Sequence, residues 1–206
     1  MPWRPHGDGI SELILTILSQ HTSDTNSGRA FSRLIGHFPD WDTILMAGIP
    51  AIGDAIRTAG LSQVKAPRIK AVLQQIKAER GNYDLRFLSE LPLDEGRAWL
   101  LALPGVGPKT AACVLMFAYG RPALPVDTHV FRVATRLGLL PPKTSAEAAH
   151  RILEQMVQPD LIYTFHVGLI QHGRHVCRAQ APNCSGCMLA RVCPSAFHGV
   201  QRNSDS

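Results

Sequence analysis

Apolar residues recur at helical spacing along almost the whole chain, and no stretch alternates strictly between apolar and polar over several positions. Ile10, Leu13, Ile14, Ile17 and Leu18 form one face, and Ile69, Val72, Leu73 and Ile76 form another on a lysine-rich stretch. Val114, Leu115 and Phe117 continue a further segment, followed by Val130, Phe131, Val133, Ala134 and Leu137. Ala148, Ile152 and Met156, then Phe165, Leu169 and Ile170, mark two more. This periodicity predicts an all-α fold without a sheet. Breaks fall at Pro39, Gly48 to Pro50, Gly53, Gly60, Gly81, Pro92, Pro104 to Pro108, Gly120 to Pro125, Pro141-Pro142 and Pro159. They divide the chain into roughly ten short helices. The polar end, Gly199 to Ser206, is expected to fray.

A length of 206 residues suffices for one domain or two small ones. Hydrophobic residues make up 45% and charged residues 18%, an ordinary globular composition. No apolar run is long enough to span a membrane. The opening MPWRPHGDG has no apolar core of a secretory signal, so the expected compartment is the cytoplasm. Lysine and arginine outnumber aspartate and glutamate 21 to 16. That excess suits a partner rich in phosphate.

Leu103 to Thr110, LPGVGPKT, reads as helix, hairpin, helix. Gly105 and Gly107 permit positive φ and leave the backbone amides uncovered. Pro108 suits the first position of the next helix. Amides at such a start can hold an anion, a DNA phosphate among them, although a bare interhelical turn has the same outline. Lys109 falls in the first helical turn, where the dipole favours a carboxylate over a cation. It is either a phosphate clamp on the surface or a nucleophile. The helix start disfavours its protonated form, and a neutral amine can form a Schiff base with an electrophilic carbon.

ALPVDTHVFR, from Ala123 to Arg132, places Asp127 just ahead of a helix beginning near Thr128. Asp127 is expected to cap that helix, a role compatible with catalysis. His129 either contacts phosphate or packs in the first turn. Of the five cysteines, Cys177, Cys184, Cys187 and Cys193 lie together with spacing C-x6-C-x2-C-x5-C. In a cytosolic chain such clustering points to metal rather than disulfides. Only Cys184 and Cys187 form the knuckle that a zinc site would use twice, so a [4Fe-4S] cluster fits the spacing better. Arg174, Arg178 and Arg191 surround the loop, to meet DNA phosphate or to balance thiolate charge. Cys113 reads as a small core residue.

Taken together, the three motifs resemble the endonuclease III family of base-excision DNA glycosylases over nearly the whole chain. LPGVGPKTA is similar to its helix-hairpin-helix, VDTHVFRV to its catalytic aspartate segment and the four cysteines to its cluster loop. The resemblance implies a two-domain helical fold: a six-helix domain with the hairpin over residues 1–121 and an iron–sulfur cluster domain over 122–206, with DNA in the cleft between them. It implies Lys109 as Schiff-base nucleophile and Asp127 as its catalytic partner. Gln20, in ILSQHTSD, resembles the residue that fills the gap left by a flipped base. Leu61, in AGLSQVKA, resembles the wedge on the opposite strand, whereas the sequence alone reads it as a staple or core contact after Gly60. Gly105, Gly107 and His129 complete the implied DNA contacts. The family usually has a further helix before the region matching Ile10. It commonly has a basic residue where Pro108 stands, so one phosphate contact is lost. The stretch Asn82 to Trp99 is longer than in the best-known members.

The implied activity is that of a bifunctional glycosylase and abasic-site lyase acting on oxidised pyrimidines. The partner is double-stranded DNA with damaged bases or abasic sites, and the expected protein is a monomer at the nucleoid. One rival is a monofunctional mismatch glycosylase, which generally lacks lysine at the position of Lys109. Another is a non-catalytic DNA-binding or redox module, which leaves Lys109 and Asp127 as a coincidence.

Overall fold

The computed structural model describes residues 5–196, and the expected fraying of Gly199 to Ser206 lies outside them. The described residues are helical, with no strand. None of their helices is long and apolar enough to cross a membrane. The chain divides into two compact units, Met1–Arg121 and Pro122–Ser206.

In the first unit, α1 (Gly9–Ser19) and α2 (Asp24–His37) are followed by the short α3 (Trp41–Met46) and α4 (Ile49–Ala55). A 3-10 turn (Arg57–Ala59) leads to α5 (Ser62–Arg80), then to α6 (Leu93–Leu101) and α7 (Pro108–Cys113). The core sits on α1, which packs against α2, α5 and α7. Leu13, Ile14, Ile17 and Leu18 are fully buried, so the apolar stripe of the sequence is the central seam. Asp8 starts this helix by accepting from the Ser11 amide at 3.0 Å.

The break at Gly48 to Pro50 parts α3 from α4, with Gly48 as N-cap and Pro50 in the first turn of α4, where its missing N–H costs nothing. The expected break at Gly53 is none, since Gly53 lies inside α4. α5 also runs through Pro67 for 19 residues, anchored by buried Ile69, Val72, Leu73 and Ile76. Gly81 ends it with φ 72°, a left-handed position that favours glycine. After α7 the chain winds as a π-helical segment (Val114–Ala118) whose Val114, Leu115 and Met116 are buried.

The second unit comprises α8 (Thr128–Arg136), α9 (Ala146–Met156) and α10 (Ile162–His175), with α8 packed on α10. Beyond α10, residues 177–196 form turns without a regular helix. The buried faces of α9 and α10 differ from the apolar pattern. α9 buries Ala149, His150 and Leu153 and leaves Met156 exposed; α10 buries Ile162, His166, Leu169 and Gly173 in place of a face centred on Phe165. Two histidines explain the shift. His150 Nδ1 lies 2.9 Å from the Leu124 carbonyl and His166 Nδ1 lies 2.8 Å from that of Pro125. Each joins a backbone carbonyl of the buried stretch 123–126, which would otherwise lack a partner.

Candidate active site and cysteine loop

The hairpin in the first unit is built as its residues demand. α6 ends at Leu101, the Val106 amide closes a turn onto the Leu103 carbonyl at 3.2 Å, and α7 begins at Pro108. Gly105 has φ 71°, so it uses the freedom only glycine has. Gly107 does not: its φ of −102° and ψ of 178° are extended backbone open to any residue. Gly105 has a second reason to be glycine. A Cβ there would lie 2.2 Å from Nε of Arg68, whose guanidinium covers the turn. Lys109 follows in the first turn of α7, half-buried, and among the described residues of its own unit its ammonium has no hydrogen-bond or ion-pair partner.

Gln20 and Leu61 lie in the same unit. Gln20 follows the last residue of α1, its Oε1 accepting from Arg68 Nη1 at 2.6 Å and its Nε2 lying 3.5 Å from Thr110 Oγ1. Thr110 is the neighbour of Lys109, so the glutamine is tied to the hairpin helix. Leu61 is 56% exposed, which rules out the staple or core contact that the sequence alone suggests. Its φ of 49° and ψ of 34° are left-handed, a costly conformation for a leucine. His21, beside Gln20, is also left-handed at φ 54°.

Asp127 caps α8, Oδ1 accepting from the Val130 amide at 2.7 Å. Its other carboxylate oxygen makes no hydrogen bond among the described residues of the unit. The stretch before it is fixed from both ends: the two buried histidines hold carbonyls, and the Leu124 amide donates to Glu154 Oε1 at 2.6 Å. His129 turns inward. Its Nδ1 lies 3.2 Å from Arg132 Nη2, and its Cβ lies where a side chain on Gly173 would have to go.

All four clustered cysteines line one cavity of about 360 Å³ in the second unit. Among the described residues no three histidine, cysteine, aspartate or glutamate side chains converge as ligands of a single metal ion. The thiols also have other partners. Cys177 Sγ accepts from Arg136 at 3.3 Å, Cys193 Sγ donates to the Arg136 carbonyl at 3.3 Å, and Cys187 Sγ lies 3.7 Å from His172 Nε2. Four cysteines around one cavity are the donor set that a [4Fe-4S] cluster takes.

Arg174, Arg178 and Arg191, which flank this loop in sequence, are exposed. Arg132 and Arg136, one turn apart on α8, bind its backbone. Arg132 donates to the carbonyls of Gly173 (2.8 Å) and Cys177 (3.1 Å), and Arg136 to those of Arg178 (2.6 Å) and Ala179 (3.0 Å). Their spacing of four residues was the available signal, hidden because both carbonyl sets lie far along the chain.

A profile of the HhH-GPD superfamily base excision DNA repair protein matches residues 14–159. Endonuclease III of Thermotoga maritima is 33% identical over 186 residues, covering 90% of this chain and 83% of that protein. The chain belongs to the endonuclease III family. Members of this family are enzymes of base-excision DNA repair, and iron–sulfur clusters are typical of them. A putative DNA glycosylase of Arabidopsis thaliana is 39% identical over 165 residues, and the chain spans only 56% of that protein's length. A non-covalent endonuclease III–DNA complex has the same fold with a TM-score of 0.82, at 29% identity, over 96% of this chain and 88% of its own. The fold of the endonuclease III family is thus shared across both units, and its members provide the frame for a base-excision DNA glycosylase.

Proposed function

We propose that the protein is a bifunctional DNA glycosylase and abasic-site lyase that removes oxidised pyrimidines from double-stranded DNA. The observation carrying this reading is Lys109: a half-buried amine in the first turn after the hairpin at residues 103–108, with no hydrogen-bond or ion-pair partner among the described residues of its unit. An oxidised pyrimidine has lost stacking, so its extrusion costs less than that of an intact base. Gln20 fills the vacated space and Leu61 enters from the opposite strand. As the glycosidic bond lengthens, positive charge grows at C1′, and the open oxygen of Asp127 stabilises it. The neutral amine of Lys109 bonds to C1′ and the base departs with the glycosidic electron pair and a proton. The C1′–O4′ bond then breaks, the second amine proton passes to O4′ as the sugar ring opens, and the resulting Schiff base makes the C2′ proton acidic. Removal of that proton expels the 3′ phosphate by β-elimination, and water then releases the lysine.

Cys177, Cys184, Cys187 and Cys193 would hold a [4Fe-4S] cluster, which supplies four bonds that order the loop between them. The protein acts as a monomer at the nucleoid of the cytoplasm, a setting in keeping with its net charge of +5.

Borohydride trapping tests the chemistry. Incubation with thymine-glycol or abasic-site duplex is expected to give a covalent complex that Lys109→Gln abolishes. Asp127→Asn is expected to slow its formation by about 10²- to 10⁴-fold, the usual range for a positioned carboxylate. A complex that persists at full yield in Lys109→Gln would move the nucleophile elsewhere. A wild-type protein that releases base without strand scission would make it monofunctional.

A further inference from the structure

The largest fully buried side chain of the first unit belongs to a lysine. Lys65, on the first turns of α5, is 2% exposed. Its Nζ donates to the carbonyl of Leu18 at 2.7 Å and to that of Ala59 at 2.8 Å. Leu18 is the second-last residue of α1, and Ala59 ends the 3-10 turn. Both carbonyls belong to helix ends, where no amide of the same helix can reach them and where a cation is favoured by the dipole. Burial pulls the lysine's pKa below its ordinary value. The two carbonyls offset part of that desolvation.

The residues just past those two helix ends are the ones the lysine can influence. Two residues after Leu18 comes Gln20, then left-handed His21; two residues after Ala59 comes left-handed Leu61, with Gly60 between at φ 65°. Two strained turns thus start from carbonyls gripped by one ammonium. Three residues along α5, Arg68 holds the side chain of Gln20 itself. Strained backbone persists only where its surroundings fix it.

We propose that Lys65 is a positioning residue that locks the Gln20 turn and the Leu61 turn to each other, so that both enter damaged DNA as one preset pair. This rests on the reading of Gln20 and Leu61 as DNA probes. A purely structural lysine would weaken the fold and spare damage recognition in the molecules that remain folded. A lysine that sets the probes would change the discrimination of those folded molecules.

The experiment compares binding to a duplex carrying a tetrahydrofuran abasic analogue, which is not cleaved, with binding to the same duplex undamaged. Lys65→Met keeps the length of the side chain and removes its donors. In folded Lys65→Met the preference for the analogue is expected to fall roughly tenfold, the scale of 1.4 kcal/mol, while undamaged DNA binds as before. Lys65→Gln reaches one carbonyl at most, is gentler on folding, and is expected to lose less. In a Leu61→Ala background the effect of Lys65→Met should largely vanish, because residues acting through one device are not additive. A folded variant with unchanged preference would overturn the proposal, as would a loss that adds in full to that of Leu61→Ala. A wild-type protein without any preference for the analogue would instead sink the probe reading itself.

Discussion

The two ends of the molecule are held by different physics. The first unit is organised around α1, whose Leu13, Ile14, Ile17 and Leu18 have no exposed surface, and α5 adds Ile69, Val72, Leu73 and Ile76. Residues 174–196 of the second unit contain no buried residue at all. That segment is tied by arginine bonds to its carbonyls, and its four thiols line a cavity. Hydrophobic burial is non-directional and grows with area, so it holds a helix pair without naming any one atom. Polar ties and metal bonds are directional, so they can order a short loop that has nothing to bury. The contrast matches the function proposed above: an apolar scaffold carries Lys109, and in the unit that carries Asp127 a bound cluster would order the loop.

The contrast breaks most readily at the loop. If a cluster orders it, Cys187→Ser should abolish the visible absorbance and lower iron well below the roughly four atoms per chain of the intact cluster. The loop should then open to protease near Arg178 and Arg191. The loss should amount to several kcal/mol, because a structural metal site contributes directly to folding. Helical content from α1 to α7 should survive. A variant that keeps wild-type protease resistance would show that Arg132 and Arg136 hold the loop alone. Stoichiometric zinc in the wild-type protein would reject the cluster.

A smaller loss is expected from the core. Ile14→Ala removes a fully buried side chain from the seam of the first unit and should cost about 2–5 kcal/mol, read as a fall in the denaturation midpoint. Val192→Ala, in the cysteine loop, alters a side chain that is 74% exposed and should stay within about 0.5 kcal/mol of wild type. Equal costs at the two positions would mean that the loop has a core of its own.

The same contrast explains how much could be read from the chain. Periodicity located α1 and α5 because burial there is apolar and repeats every turn. It placed the faces of α9 and α10 wrongly because His150 and His166 are buried by hydrogen bonding, which a hydrophobic pattern does not register. The local signals survived best: Asp127 caps α8, and Pro108 opens α7, as their types require. Lys65 and Arg68 were invisible, because an ammonium in the core is explained only by carbonyls 47 and 6 residues away, and the guanidinium by a glutamine 48 residues away. Leu61 was misjudged for a related reason. An isolated leucine after a glycine is read as core, and only the left-handed backbone turns it outward.

The smallest effect concerns a polar tie in the first unit that has no cavity and no metal to organise. Asp84, in the long connection before α6, accepts from Arg86 Nε at 2.9 Å and from its Nη2 at 2.5 Å. The Arg86 side chain and amide hold its pKa down at about 2, against 3.8 for the free group. A depressed carboxylate contributes stability that is complete above the unfolded value and disappears as pH falls through the folded one. Asp84→Asn should therefore be less stable than wild type at neutral pH, and the two should converge as pH drops from about 4 to about 2, the window set by that pair of values. Both partners face solvent, so salt screens the pair and the difference in melting temperature should be slight. A difference as large as that of Ile14→Ala would mean that directional polar bonds stabilise the scaffold as strongly as burial does, and the distinction between the two regions would fail. A difference that persisted unchanged at pH 2 would assign the effect of Asp84 to its shape rather than its charge.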